Sequence, residues 1–179
     1  IIGPQYVERA DMKIANTYFP GAEFKKCMAS RDYLGAHKAL DRAASKQAID
    51  ETSHIRWRAH VYQFEGRIAD AVELLAPLIE KDDIPRKFLR HQRARIYAHA
   101  GMHEEALSDF RAIADDPTPR IAEALRAGCR FEIAYILAVQ GSPEFQAVCD
   151  LISDDRQQFV SDSVLGKSDL VELHRANRK

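Results

Sequence analysis

The chain of 179 residues is poor in the features that most often announce a function. It has only three cysteines, Cys27, Cys129 and Cys149, widely spaced and odd in number. They match neither a zinc-ligand spacing nor the disulfide framework of a small secreted domain. The expectation is reduced core thiols and a cytoplasmic protein. The chain opens on Ile1 rather than Met, so export stays compatible with the sequence. No apolar run approaches the ~20 residues that a membrane-spanning helix needs. Neither sign of charge dominates: 26 Lys and Arg stand against 27 Asp and Glu. Nothing global therefore calls for nucleic acid or a membrane surface. Strand patterning is scarce. Its single candidate, Gln158 to Val164, is read as helix or loop because one isolated ribbon is marginal.

Motifs for chemistry are equally sparse. There is no phosphate-cradling glycine loop and no Gly-flanked nucleophilic serine. His103-Glu104-Glu105 lacks a second His four residues on; Leu107 stands there. It reads as a helix start whose acids face the positive dipole end. Cys129 lies among apolar residues and reads as a packed thiol, not a nucleophile. These readings predict no catalytic residue, no metal site and no cofactor.

What the sequence does have is repetition. Between His54 and Pro119 one helix–turn–helix pattern occurs twice with a 35-residue offset. Ala59 recurs as Ala94, Tyr62 as Tyr97, Gly66 as Gly101 and Ala71 as Ala106; Leu75 is answered by Phe110 and Leu78 by Ile113. Each copy closes on an acidic turn with proline, at Asp82 to Pro85 and Asp115 to Pro119. A fixed period of this size marks units that bury their apolar faces only by stacking. Within a unit, the small residue and Tyr share one face of a first helix. Gly66 and Gly101 suit left-handed caps. Ala71 and Ala106 let a second helix come close. Ala59, Tyr62, Ala71, Leu75, Ala94, Tyr97, Ala106 and Phe110 are thus the expected core.

This order of small residue, Tyr, Gly, Ala and bulky apolar residue resembles the tetratricopeptide repeat. The family usually carries Leu just before the first small position, where this chain has Arg58 and Arg93. The resemblance implies an all-α fold, a short right-handed solenoid of antiparallel helix pairs. A single domain over residues 1–179 is expected, with units at about 22–50, 51–85, 86–119 and 120–153 and a capping segment at 154–179. Before them, Pro4 to Tyr18 has helical spacing, ended by Pro20-Gly21. Tyr33 to Ala43 repeats the second-helix pattern at Ala36 and Leu40, after a short helix from Glu23 to Ser30. Ile121 to Gln140 reads as a long first helix. A matching second helix would carry Phe145, Val148, Cys149 and Ile152, with Ser142 as its cap and Pro143 at its first position. A last helix is expected from Ser168.

Three residues of the third unit, His91, Arg95 and His99, fall at i, i+4 and i+8 and share one stripe. The corresponding stripe of the second unit is Arg56, His60 and Gln63, with Phe64 beside it; Lys25 holds the place in the first. In tetratricopeptide proteins this stripe lines the groove that receives a partner segment. The resemblance thus implies a basic, His-rich partner-binding groove of Lys25, Arg56, His60, Gln63, Phe64, His91, Arg95 and His99, fit for an acidic segment. Trp57 reads as a wedge between helices. The run Arg86 to Arg95 is basic, but helical periodicity spreads its cations around the helix, so RNA binding is the lesser expectation. The function expected is a non-enzymatic protein-binding module. Its most specific form is a bacterial immunity or antitoxin-like protein that neutralises a toxin domain, with a secretion-type chaperone or a regulatory scaffold as the other forms.

Overall fold

The computed structural model describes residues 20–80, 84–118, 123–160 and 163–178. Helices dominate them, and one short hairpin accompanies the helices. In order they are α1 (Ala22–Ala29), α2 (Tyr33–Ser45), α3 (Glu51–Phe64), α4 (Ile68–Ile79), α5 (Ile84–His99), α6 (His103–Ala114), α7 (Glu123–Val139), α8 (Phe145–Cys149), β1 (Gln157–Val160), β2 (Ser163–Gly166) and α9 (Lys167–Asn177). Among the described residues, no helix is long and apolar enough to cross a membrane. The expected helix from Pro4 to Tyr18 lies outside the described residues, as do Asp82 and Asp83 of the first acidic turn.

The chain divides into two compact units, residues 1–77 and 78–179, with the division inside α4. In the first unit, Phe24, Ala36, Ala39, Leu40, Ala43, Ile49 and Val61 form the core, and Trp57 packs on its edge. Side-chain caps start α2 and α3: Asp32 accepts from the Gly35 N–H at 2.9 Å, and Asp50 from the Ser53 N–H at 2.6 Å. Such caps satisfy donors that a helix start leaves open. Ala59, Ala71 and Leu75 are fully buried.

The second unit is built around α7. From Gly128 to Ala138 this helix is buried at every position but Arg130 and Tyr135, because α6, α8, β1 and α9 all pack on it. Its core includes Ala94, Ala106, Leu107, Phe110, Ile113, Phe131, Ile136, Leu137, Phe145 and Leu170. A helix apolar nearly all round must be enclosed to this degree.

Local signals settle the helix ends. Gly66 and Gly101 sit at φ 78° and 74°. Their following residues close the helices behind them: the Arg67 N–H donates to the Tyr62 carbonyl and the Met102 N–H to the Tyr97 carbonyl, each at 2.9 Å. An L side chain at that φ pays a steric cost that glycine avoids.

Four expectations need correction. Gln157–Val160 and Ser163–Gly166 form an antiparallel hairpin, pairing Gln158 with Leu165 and Phe159 with Val164. The ribbon is not isolated: β1 lies on α7, and Gln158 and Val160 are buried against it. Support from a helix removes the marginality that argued against strands. The second helix after Gly141 is short, Phe145–Cys149, and Ile152 is buried outside it. Ser142 does not cap it in the expected way; the hydroxyl accepts at 3.3 Å from Glu144, in the turn before. Finally, Tyr62 and Tyr97 are half-buried rather than enclosed. The Arg67 guanidinium lies 4.1 Å from the Tyr62 ring centroid, a cation–π contact that keeps one face at the surface.

Arg58 and Arg93, which depart from the tetratricopeptide pattern, are both paired. Arg58 meets Asp41 of α2, which also lies 3.1 Å from His54 Nε2. Arg93 makes a two-pronged contact with Asp109 of α6, at 2.7 and 2.8 Å. Asp109 is almost wholly buried, so this guanidinium is its counter-ion in the core. A planar fork suits such a bidentate contact better than an ammonium would. The position that would carry apolar packing carries an ion pair between helices instead.

Candidate functional site

The expected groove residues fall in both units. In the first unit, α1 carries Lys25, exposed, and α3 carries Arg56, His60, Gln63 and Phe64. A row of rings joins these helices. Phe24 meets Trp57 edge-on at 5.4 Å between centroids, Trp57 meets His60 at 5.6 Å, and His60 meets Phe64 at 4.8 Å. Residues three and four apart on a helix make this row possible. Phe64 keeps 39% of its surface exposed and Arg56 is also exposed, while His60 and Gln63 are half-buried. Trp57 is the wedge that its position predicts, and His60 belongs to the same ring row.

In the second unit the three α5 residues part company. His91 is half-buried: its ring packs edge-on against Phe110 at 5.7 Å, and burial, with Arg95 nearby, pushes its pKa down to about 4. It therefore stays uncharged just below neutrality, because burial disfavours the imidazolium. Arg95 and His99 remain exposed.

Arg95 has a partner that lay outside the expected site. Its Nε is 3.8 Å from Oε1 of Glu132 on α7, an ion-pair distance too long for a hydrogen bond. The Arg95 side chain is 53% exposed and that of Glu132 only 6%. Gln158, also buried, donates from Nε2 to the same Glu132 oxygen at 3.3 Å and to the Gly128 carbonyl at 3.2 Å. Arg156 donates in turn to the Gln158 amide oxygen at 3.3 Å. Burial raises the Glu132 pKa; Arg95 and Gln158 oppose that rise. The nearby Cys129 thiol is pushed up to about 12, first by burial and then by the Glu132 charge, which keeps it protonated at neutral pH and poor as a nucleophile.

One signal for Glu132 was present in the sequence: a lone carboxylate inside Phe131-Glu132-Ile133-Ala134-Tyr135-Ile136-Leu137. A charge in the middle of a buried run needs partners. Nothing local names Gln158, which reaches Glu132 only because the hairpin folds onto α7. Among the described residues, no group of three or more His, Cys, Asp and Glu is placed to hold a metal ion.

No protein-family model, no curated protein and no solved structure matches this chain.

Proposed function

We propose that the chain is a non-enzymatic protein-binding module of tetratricopeptide-like type, stacking its helix pairs in a right-handed solenoid, and that it takes an acidic segment of its partner. One observation carries this reading. Phe88, Arg95 and His99 stand on one line of α5, at i, i+7 and i+11, and all three are exposed. Phe88 keeps 49% of its surface in solvent. Seven residues of helix separate Phe88 from Arg95 by about 10 Å, roughly three residues of an extended peptide. An apolar side chain and a carboxylate at that spacing would meet both. The recurrence of the Ala59/Tyr62/Gly66/Ala71 set at Ala94/Tyr97/Gly101/Ala106 supports the family premise.

The most specific partner on this reading is a toxin domain with an acidic surface segment, which would make the chain an immunity or antitoxin-like protein. Affinity capture from the native host, with the chain as bait and mass spectrometry as readout, tests it. The variant carrying Phe88→Ser and Arg95→Ala should lose the partner while keeping the wild-type circular dichroism. Equal capture by wild type and variant would move the binding surface off α5. An acid-poor partner would overturn the charge argument.

A further inference from the structure

The contact between Arg95 and Glu132 has a consequence for binding, resting on the reading that Arg95 meets an acidic partner. Arg95 lies on the exposed line of α5, yet its guanidinium already stands beside a carboxylate of its own chain. The two ends of that contact differ. Glu132 is enclosed by α7 and β1 and anchored by Gln158 Nε2. Arg95 is half in solvent and held at 3.8 Å, without a hydrogen bond. The half-solvated arginine, not bound by a hydrogen bond, can reorient, and the cost of its leaving falls on the carboxylate it leaves behind. The carboxylate has nowhere to go, and a buried charge without its counter-ion is expensive.

We propose that Glu132 is an internal competitor for Arg95, and that capture of an acidic segment by Arg95 is accompanied by uptake of a proton on Glu132. The partner's carboxylate takes the guanidinium that offsets the Glu132 charge. It also brings a second negative charge close to the first. Both effects favour the neutral carboxyl, which Gln158 can still hold through its amide. The proton comes from solvent, and at most one binds for each Arg95 diverted. Burial already raises the Glu132 pKa, and diverting Arg95 pushes it further the same way.

The groups placed around Glu132 are few. Arg95 faces it from α5, Gln158 from β1 with Arg156 behind, and Cys129 lies one turn back on α7. Asp109 of α6 is taken by Arg93. Among the described residues, no charged group of α6, α8 or α9 pairs with Glu132. His99 stands on the same exposed line as Arg95, so the test includes a variant of it.

The probe is an octaglutamate peptide with blocked ends, unlabelled, added to protein carrying carboxyl-13C glutamate. Glu132 is assigned by the signal missing in Glu132→Gln. In wild type the Glu132 titration midpoint should move up by about one pH unit on saturation with peptide. In Arg95→Ala it should already stand higher and should not move further. Peptide affinity should rise as pH falls in wild type and in His99→Gln. Glu132→Gln should bind about tenfold more tightly than wild type at pH 8, with little pH dependence. If the peptide binds but the Glu132 midpoint stays fixed, or the pH dependence disappears with His99→Gln instead, Glu132 is no competitor and the binding reading stands without it. If the peptide perturbs no residue of the protein, the acidic-partner reading falls, and the competitor role falls with it.

Discussion

His91 should make this protein acid-sensitive in a definable window. Its ring lies against Phe110, and its pKa falls from 6.5 to about 4. Between those values the unfolded chain binds a proton that the folded chain refuses. Stability is therefore complete above about 6.5 and is lost as pH falls towards about 4. A shift of this size corresponds to about 3 kcal/mol in total, of which roughly 2.5 kcal/mol is spent by pH 4.5. Set against the ~5–15 kcal/mol that holds a typical domain, this is a large fraction. Urea unfolding at pH 7.5 and 4.5 measures it. His91→Leu keeps an apolar side chain against Phe110 and cannot titrate. Other groups contribute equally to both proteins, so the difference between their pH dependences isolates His91. Wild type should lose roughly 2.5 kcal/mol more than the variant between the two pH values. Direct titration of the His91 ring by NMR gives the same answer independently. A midpoint between 6 and 7, or equal acid losses in the two proteins, would show that the ring is solvated and that Phe110 does not exclude water from it.

Ala71 and Ala106 are both fully buried, so Ala71→Leu and Ala106→Leu should each cost roughly 1–3 kcal/mol by overpacking, read as a lower melting temperature; unchanged values for both would mean that no close contact occurs there. Arg93→Leu strands the buried Asp109 carboxylate and should cost roughly 3 kcal/mol, whereas adding Asp109→Leu should recover much of it. A denaturation cycle in which the double variant is no better than the single would place the energy in packing by Arg93 rather than in the ion pair.

The sequence by itself determined the helical character and much of its punctuation. The 35-residue recurrence located Gly66 and Gly101, which end α3 and α5 in the left-handed conformation. It also located the buried Ala59, Ala71, Leu75, Ala94, Ala106 and Phe110. These features depend on residues a turn or two apart, where helical spacing alone decides what shares a face. Tertiary structure decided the rest. Gln157–Val160 could become a strand because α7 covers it. His91 shares a stripe with Arg95, yet a turn of helix is wide enough for one to meet Phe110 and the other solvent. The partners of Arg58 and Arg93 sit 17 residues back and 16 residues forward, so equal positions in the repeat found opposite neighbours. Glu132 and Gln158 stand 26 residues apart. A carboxylate so enclosed announces in the sequence that it needs counterparts, but which side chains answer depends on which elements the fold lays against it.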